Sequence, residues 1–161
     1  RYTSSRFADR IEKIRSLMPD AFIGIDVITG FPGEKEEHFQ QTYDLLARLR
    51  PAFLHIFPFS ERPGTPAGDM PDKVPSYIST QRVSQLEELC DVLHYDFCAN
   101  DVGKEADVLF ESTMRDGLMY GYTGNYIRVK SPYRKELINR ISRVKLASIG
   151  DDHDVMAEIL E

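Results

Sequence analysis

The sequence has little cysteine, no long apolar run and no metal-binding spacing. Only two cysteines occur, Cys90 and Cys98. Two thiols cannot build the disulfide framework of a small secreted domain, and they point to a reducing cytoplasm. They lie eight residues apart on one expected helix, with no further cysteine to complete a site. They therefore read as core or surface thiols rather than ligands. No apolar run approaches the roughly 20 residues that a membrane span requires, mean hydropathy is -0.37, and no secretory signal is visible. The four histidines, His38, His55, His94 and His153, make no metal-ligand spacing with Cys, His or carboxylates beyond a loose Asp/His cluster near the C-terminus. Internal repeats and low-complexity tracts are absent. What remains is a chain of 161 residues, 42% hydrophobic, long enough for one medium domain or two small ones. It starts at Arg1 rather than Met, in what reads as a loop entering a helix. The expectation is a piece of a longer protein.

The net charge of -6 is unevenly spread. Residues 1–100 hold 11 basic and 15 acidic residues, residues 101–149 hold 9 and 6, and residues 150–161 hold none and 5. A basic segment thus lies inside an acidic chain, a pattern that suits a polyanionic partner but is modest enough to arise by chance.

The organising stretch is Ala21–Glu34, AFIGIDVITGFPGE. Phe22, Ile23, Ile25, Val27 and Ile28 form a short, β-branched run that reads as a strand buried on both faces of a parallel sheet. Gly30-Phe31-Pro32-Gly33 then turns the chain, and Glu34 to Glu37 open a helix. Ligands of open α/β sheets and barrels sit at such C-terminal strand ends. Before this stretch, Phe7, Ile11, Ile14, Leu17 and Met18 recur at helical spacing behind a possible cap at Thr3, Ser4 or Ser5. After it, a helix to Arg50 carries Phe39, Tyr43, Leu46 and Leu49 on one face and stops at Pro51. Phe53–Phe57 is a second buried strand, so the order α, β, α, β implies parallel strands. The proline-rich connection Arg62–Pro75 is either a functional loop or a tether. Ser76 opens a long helix to about Asn100, with Leu86, Leu89, Cys90, Leu93 and Phe97 as its apolar stripe.

After Asp101 the period becomes two. Ala106, Val108 and Phe110 alternate with polar neighbours, Asp116-Gly117 signals a hairpin, and Leu118–Thr123, Tyr126–Lys130 and Ile141–Ser148 read as further strands. Short strands at near-regular spacing predict a small β-barrel over residues 101–149, with the boundary near residue 100. The acidic tail 150–161 reads as a short helix or as disordered.

Asp26, mid-strand among apolar residues, is either a buried structural acid with a partner or a group facing a ligand inside a barrel. In the β region, Arg128, Lys130, Arg134, Lys135, Arg140, Arg143 and Lys145 mix with Tyr120, Tyr122, Tyr126 and Tyr133. Cations hold phosphates and aromatic rings stack on unpaired bases, so this mixture suits RNA. A solvated sheet face would carry similar residues.

Three segments resemble the radical S-adenosylmethionine (SAM) methylthiotransferases. They are Arg1-Tyr2-Thr3 leading into a helix, Asp26–Glu34 (DVITGFPGE, against the family's D-x-I-x-G-F-P-G-E) and Phe57–Ala67 (FPFSERPGTPA, against F-x-Y-S-x-R-x-G-T-x-A). The segment Gly121–Val129, GYTGNYIRV, is similar to the G-x-T-x-N-Y-x-x-V signature of a TRAM domain, the family's small RNA-binding, OB-like barrel. The resemblance reaches from residue 1 to about Gly150. It implies that residues 1–100 are the C-terminal part of a TIM-like radical SAM barrel. It also implies that the parent inserts a methylthio group into a modified adenosine beside the tRNA anticodon, using SAM and two 4Fe-4S clusters. The family's C-x-x-x-C-x-x-C cluster motif is absent here, so the expectation is a piece that is inactive alone. By the same resemblance Asp26, Ile28, Gly30, Phe57 and Pro58 would line the SAM seat, and Arg62 and Thr65 would lie at the mouth facing substrate. Tyr126, Arg128, Lys130, Arg143 and Lys145 would hold tRNA. The opening thirty-four residues resemble most the threonylcarbamoyl-adenosine branch. The isopentenyl-adenosine and ribosomal-protein branches stay open. So do two other readings, a non-catalytic RNA-binding module and a small-molecule α/β enzyme. Strands cut from a barrel would leave open edges, which predicts self-association.

Overall fold

The structure is a computed structural model describing residues 3–160. The Arg1-Tyr2 portion of the first family-like segment lies outside the described residues. The chain divides into two compact units, 1–93 and 94–161. The division falls within the long helix that spans Ser76–Ala99.

In the first unit, α1 (Ser4–Leu17) starts where the Thr3 hydroxyl accepts the Arg6 N–H, which satisfies one open donor of the first turn. The strand β1 (Gly24–Thr29) leads to α2 (Glu36–Leu49), which ends at Arg50 in the left-handed region ahead of Pro51. The strand β2 (Phe53–Pro58) follows, and then the long helix α3 (Ser76–Ala99). As the alternation of helices and strands predicts, β1 and β2 pair in parallel, with Asp26 opposite His55, Ile28 opposite Phe57 and Thr29 opposite Pro58.

One expectation fails here. β1 is buried on one face only. Val27 and Leu54 are buried against Phe39 and Leu46 of α2 and Leu86, Leu89, Cys90 and Leu93 of α3, and Thr29 is buried as well. The opposite face carries Asp26, Ile28, His55 and Phe57, all exposed. An apolar run shows that a strand is wanted inside something, but the helices of this chain cover a single side of it.

In the second unit, β3 (Glu105–Arg115), β4 (Leu118–Thr123), β5 (Arg128–Pro132), β6 (Ile141–Ile149) and β7 (Val155–Ile159) form a five-stranded mixed sheet. Its pairing order β3-β4-β5-β7-β6 closes because β6 also pairs with β3. Asp116 and Gly117 both adopt positive φ (52° and 76°), the geometry of a tight hairpin turn. Val108, Phe110, Met119, Ile127, Val129, Val144, Leu146, Val155 and Cys98 fill the interior.

The acidic tail is corrected. Residues 155–159 are neither a helix nor disordered, but a strand between β5 (parallel) and β6 (antiparallel). Val155 and Ala157 are buried and Glu158 is exposed, an alternation of period two that the helical reading passed over. β5 begins at Arg128, two residues later than expected. Tyr126 lies in the preceding turn with φ 65°, where the Thr123 hydroxyl accepts the Ile127 N–H at 2.9 Å.

Candidate functional site

Two places in the chain gather the residues singled out by sequence. The first is the C-terminal end of the parallel strands. Gly30 to Gly33 follow β1, Phe57 and Pro58 close β2, and the Phe59 N–H donates to the Thr29 carbonyl at 2.8 Å. The Phe31 and Phe59 rings meet edge to face at 5.1 Å. A crevice of about 260 Å³ lies here, lined by Gly30, Pro58, Lys73 and Ser79 among others. Of the five residues expected around a cofactor, Gly30 and Pro58 line this crevice. Asp26, Ile28 and Phe57 instead stand on the open sheet face, where Ile28 is 60% and Phe57 51% exposed. This exposure excludes the buried-acid reading of Asp26.

The turn is held by contacts that sequence reasoning missed. One carboxylate oxygen of Glu34 accepts the Gly30 N–H at 2.6 Å and the Thr29 hydroxyl at 3.2 Å. The Arg82 guanidinium, from α3, donates to that same oxygen at 2.8 Å and to the Glu34 carbonyl at 3.0 Å. It also reaches Glu36 at 3.1 Å and lies over the Phe39 ring at 5.3 Å. Arg82 is 4% exposed. The signal was available in the helical phase, since Arg82 precedes Leu86 by four and Leu89 by seven residues, on the buried stripe. Gly30 has φ 82°, and an added Cβ would lie 2.6 Å from the Ser79 hydroxyl. Its bareness is therefore explained by turn geometry and by the approach of α3, and its amide is taken up by Glu34.

Beyond the turn, the connection to α3 is tied back. Gly33 N–H donates to the Asp72 carbonyl at 2.9 Å. The Thr65 hydroxyl donates to the Arg62 carbonyl at 2.8 Å, which closes a local turn. Thr65 is half-buried and Arg62 exposed.

The cysteines do not fit an iron–sulfur cluster. Both are buried, and they sit in different cores. The Cys90 sulfur accepts the Leu54 N–H at 3.3 Å. Burial pushes the Cys98 thiol up to about 11, so it stays protonated and a poor ligand at neutral pH. Among the described residues no group of three His, Cys, Asp or Glu side chains could hold a metal ion, and no helix is long and apolar enough to cross a membrane.

The second place is the outward face of the five-stranded sheet. Tyr126 stacks on Tyr122 with centroids 4.9 Å apart, and Arg128 lies 4.7 Å over the Tyr120 ring. The expected cations are less available than their number suggests. Lys130 bonds both oxygens of Asp152 at 2.8 and 2.6 Å, and Arg128 is 3.4 Å from Asp154. Arg143 bridges Glu105 and Asp107 at 3.3 and 3.2 Å. Lys145 is exposed and stands between Glu105 and Glu158 in register. Lys130 beside Asp152 holds that carboxyl below its usual range, while burial pushes the Asp154 carboxyl up. The acidic tail thus supplies the counter-ions of Lys130 and Arg128.

No protein-family model matches the chain. Curated relatives do. It is 34% identical over 154 residues, 93% of this chain, to a threonylcarbamoyladenosine tRNA methylthiotransferase, MtaB, of Bacillus subtilis. It is 36% identical over 147 residues, 90% of this chain, to a tRNA-2-methylthio-N(6)-dimethylallyladenosine synthase of Syntrophotalea carbinolica. The chain belongs to the radical SAM methylthiotransferase family. A Thermotoga maritima MtaB is 34% identical over 152 residues, 94% of this chain. The chain spans about a third of the length of these methylthiotransferases, 34–35%. Relatives named for the two adenosine modifications are almost equally similar, so identity does not separate the substrates.

Proposed function

We propose that this chain is part of a tRNA-modifying methylthiotransferase, and that its two units have separate tasks. The first supplies one wall of the SAM seat. Ile28 and Phe57, adjacent in register and exposed, offer an apolar surface for an adenine ring, and Asp26 stands on the same face. Gly30 shapes the turn, and Pro58 closes the crevice beside it. Arg62 and Thr65 lie on the loop that leads away from this strand end and face the substrate. SAM would supply the radical and the methyl group. The clusters would be held by residues outside this sequence. The second unit is a TRAM-type, OB-like barrel that docks tRNA. The modified nucleoside is threonylcarbamoyladenosine, by the likeness of the first thirty-four residues to that branch.

The observation that carries this reading is the meeting of both family-like segments at one end of a parallel strand pair, in a chain alike to these enzymes over nine-tenths of its length. A tRNA titration of the chain at several salt concentrations tests it. Affinity should fall linearly with salt on a double-logarithmic plot, as counter-ions are released from the phosphates. Absence of binding, or binding indifferent to salt, would overturn the docking role. In the same assay Asp152→Asn, which frees the Lys130 ammonium, should tighten binding about two- to fivefold at low salt, the range of an exposed ion pair.

A further inference from the structure

The register of the five-stranded sheet aligns one row of outward side chains across four strands. Ile141 of β6 is opposite Leu109 of β3, Leu109 is opposite Tyr122 of β4, and Tyr122 is opposite Arg128 of β5. Ile141 is 72% and Leu109 50% exposed, and Tyr126, 62% exposed, stacks on Tyr122. Next to it runs another row, Glu158, Lys145 and Glu105, with Arg143 held by Glu105 and Asp107. One row is apolar and aromatic with a cation at its end. The other is an alternation of opposite charges.

Resting on the reading that this unit docks tRNA, we propose that RNA is held on the Ile141–Leu109–Tyr122–Arg128 row together with Tyr126, and that the ligand is an unpaired, splayed-out base of an RNA loop rather than a duplex. A duplex offers phosphates and hides its bases, so it needs cations whose charge is not already matched. Arg143 is already bridged to Glu105 and Asp107, and Lys145 stands between Glu105 and Glu158 in register. A splayed base offers a flat apolar face, and aromatic rings beside branched aliphatic side chains are its natural partners. The Tyr122–Tyr126 pair provides such rings. Arg128, its guanidinium carbon 4.7 Å over the Tyr120 ring and its charge shared with Asp154 at 3.4 Å, stands at the edge of the platform, where the phosphate attached to a stacked base would compete with that carboxylate for it. The backbone agrees. Tyr126 is an aromatic residue kept at φ 65°, a region that costs energy for a side chain of this size and is found where a site requires it.

Two RNAs of matched length and charge separate the alternatives, a stem-loop with unpaired loop bases and a fully paired duplex, each titrated against the whole chain. The stem-loop should bind tighter. Tyr126→Asn, which tolerates the left-handed backbone, should weaken the stem-loop about tenfold or more and leave the duplex nearly unchanged. Ile141→Ser, at a position so exposed that folding is not at stake, should weaken the stem-loop in the same direction. Arg143→Gln should change either affinity less than twofold. Equal binding of the two RNAs, or a loss in Arg143→Gln with Tyr126→Asn unchanged, would overturn the assignment while leaving RNA docking intact. Failure of the unaltered chain to bind either RNA would remove the docking role and this assignment with it.

Discussion

Replacing Arg82 with Met should destabilise the first unit by about 3–5 kcal/mol, the usual cost of deleting one partner of a buried ion pair. Arg82 is nearly enclosed, and its side chain holds the Glu34 carboxylate, the Glu34 carbonyl and Glu36 at once. Removing it leaves a carboxylate that is 14% exposed with, among the described residues, the Gly30 amide and the Thr29 hydroxyl as donors. The cost comes mainly from that uncompensated charge, so Glu34→Gln in the Met background should recover part of the loss. Arg82→Lys should fall between, because an ammonium cannot reproduce the planar fork that spans Glu34 and Glu36. Urea unfolding measures the change, and the buried Cys90 thiol provides a local readout, since it becomes reactive only when this core opens. Unchanged stability in Arg82→Met would show that the clamp does not hold the turn.

The clamp also shows where a sequence stops being legible. The parallel strands were readable because apolar runs, Gly and Pro act locally, within a few residues of where they stand. Glu34 read only as a helix opener, and nothing singled out Arg82. Their meeting across 48 residues depends on how α3 lies on the sheet. The hairpin at Asp116-Gly117 was readable for the same local reason, while the turn at Gly124-Asn125 extends further than its two residues suggest and takes in Tyr126 before the strand begins at Arg128. The tail was misread for a different cause. Val155, Met156, Ile159 and Leu160 fit a helical spacing, yet Val155 and Ala157 complete a core that already holds Val129 and Leu146. Tertiary closure decided a segment too short to decide for itself. The charge segregation seen along the chain disappears for the same reason, because β7 brings Asp152 and Asp154 beside Lys130 and Arg128. As for the candidate cofactor residues, the family likeness named positions on β1, on β2 and in the turn after β1. It could not tell that Gly30 faces α3 or that Ile28 and Phe57 share the uncovered side.

Gly121→Val should be the most damaging single change in the second unit, at about 3 kcal/mol or more, beyond the usual range for overpacking a core. Gly121 lies between Tyr120 and Tyr122 and pairs with Phe110, just where the register of β3 against β4 shifts before Met114. A Cβ there would sit 2.5 Å from the Leu109 carbonyl oxygen and 2.8 Å from a Val108 methyl. The first of these is backbone, which cannot rotate away, so β3 itself must move and lose ladder bonds on both its edges. A glycine inside a strand marks such a close approach. Gly117 is the control. It needs its positive φ but has nothing within 4 Å of an added Cβ, so Gly117→Ala should cost only the conformational strain of about 1 kcal/mol. If the two substitutions cost the same in urea unfolding, crowding by β3 is not what Gly121 avoids. The buried Cys98 thiol reports which core gives way. It should become labelled in Gly121→Val at urea concentrations where Cys90 is still protected, since Cys90 belongs to the other core. Because Leu109 and Tyr122 flank the crowded contact, the same substitution should also abolish stem-loop binding, even under conditions where part of the protein stays folded.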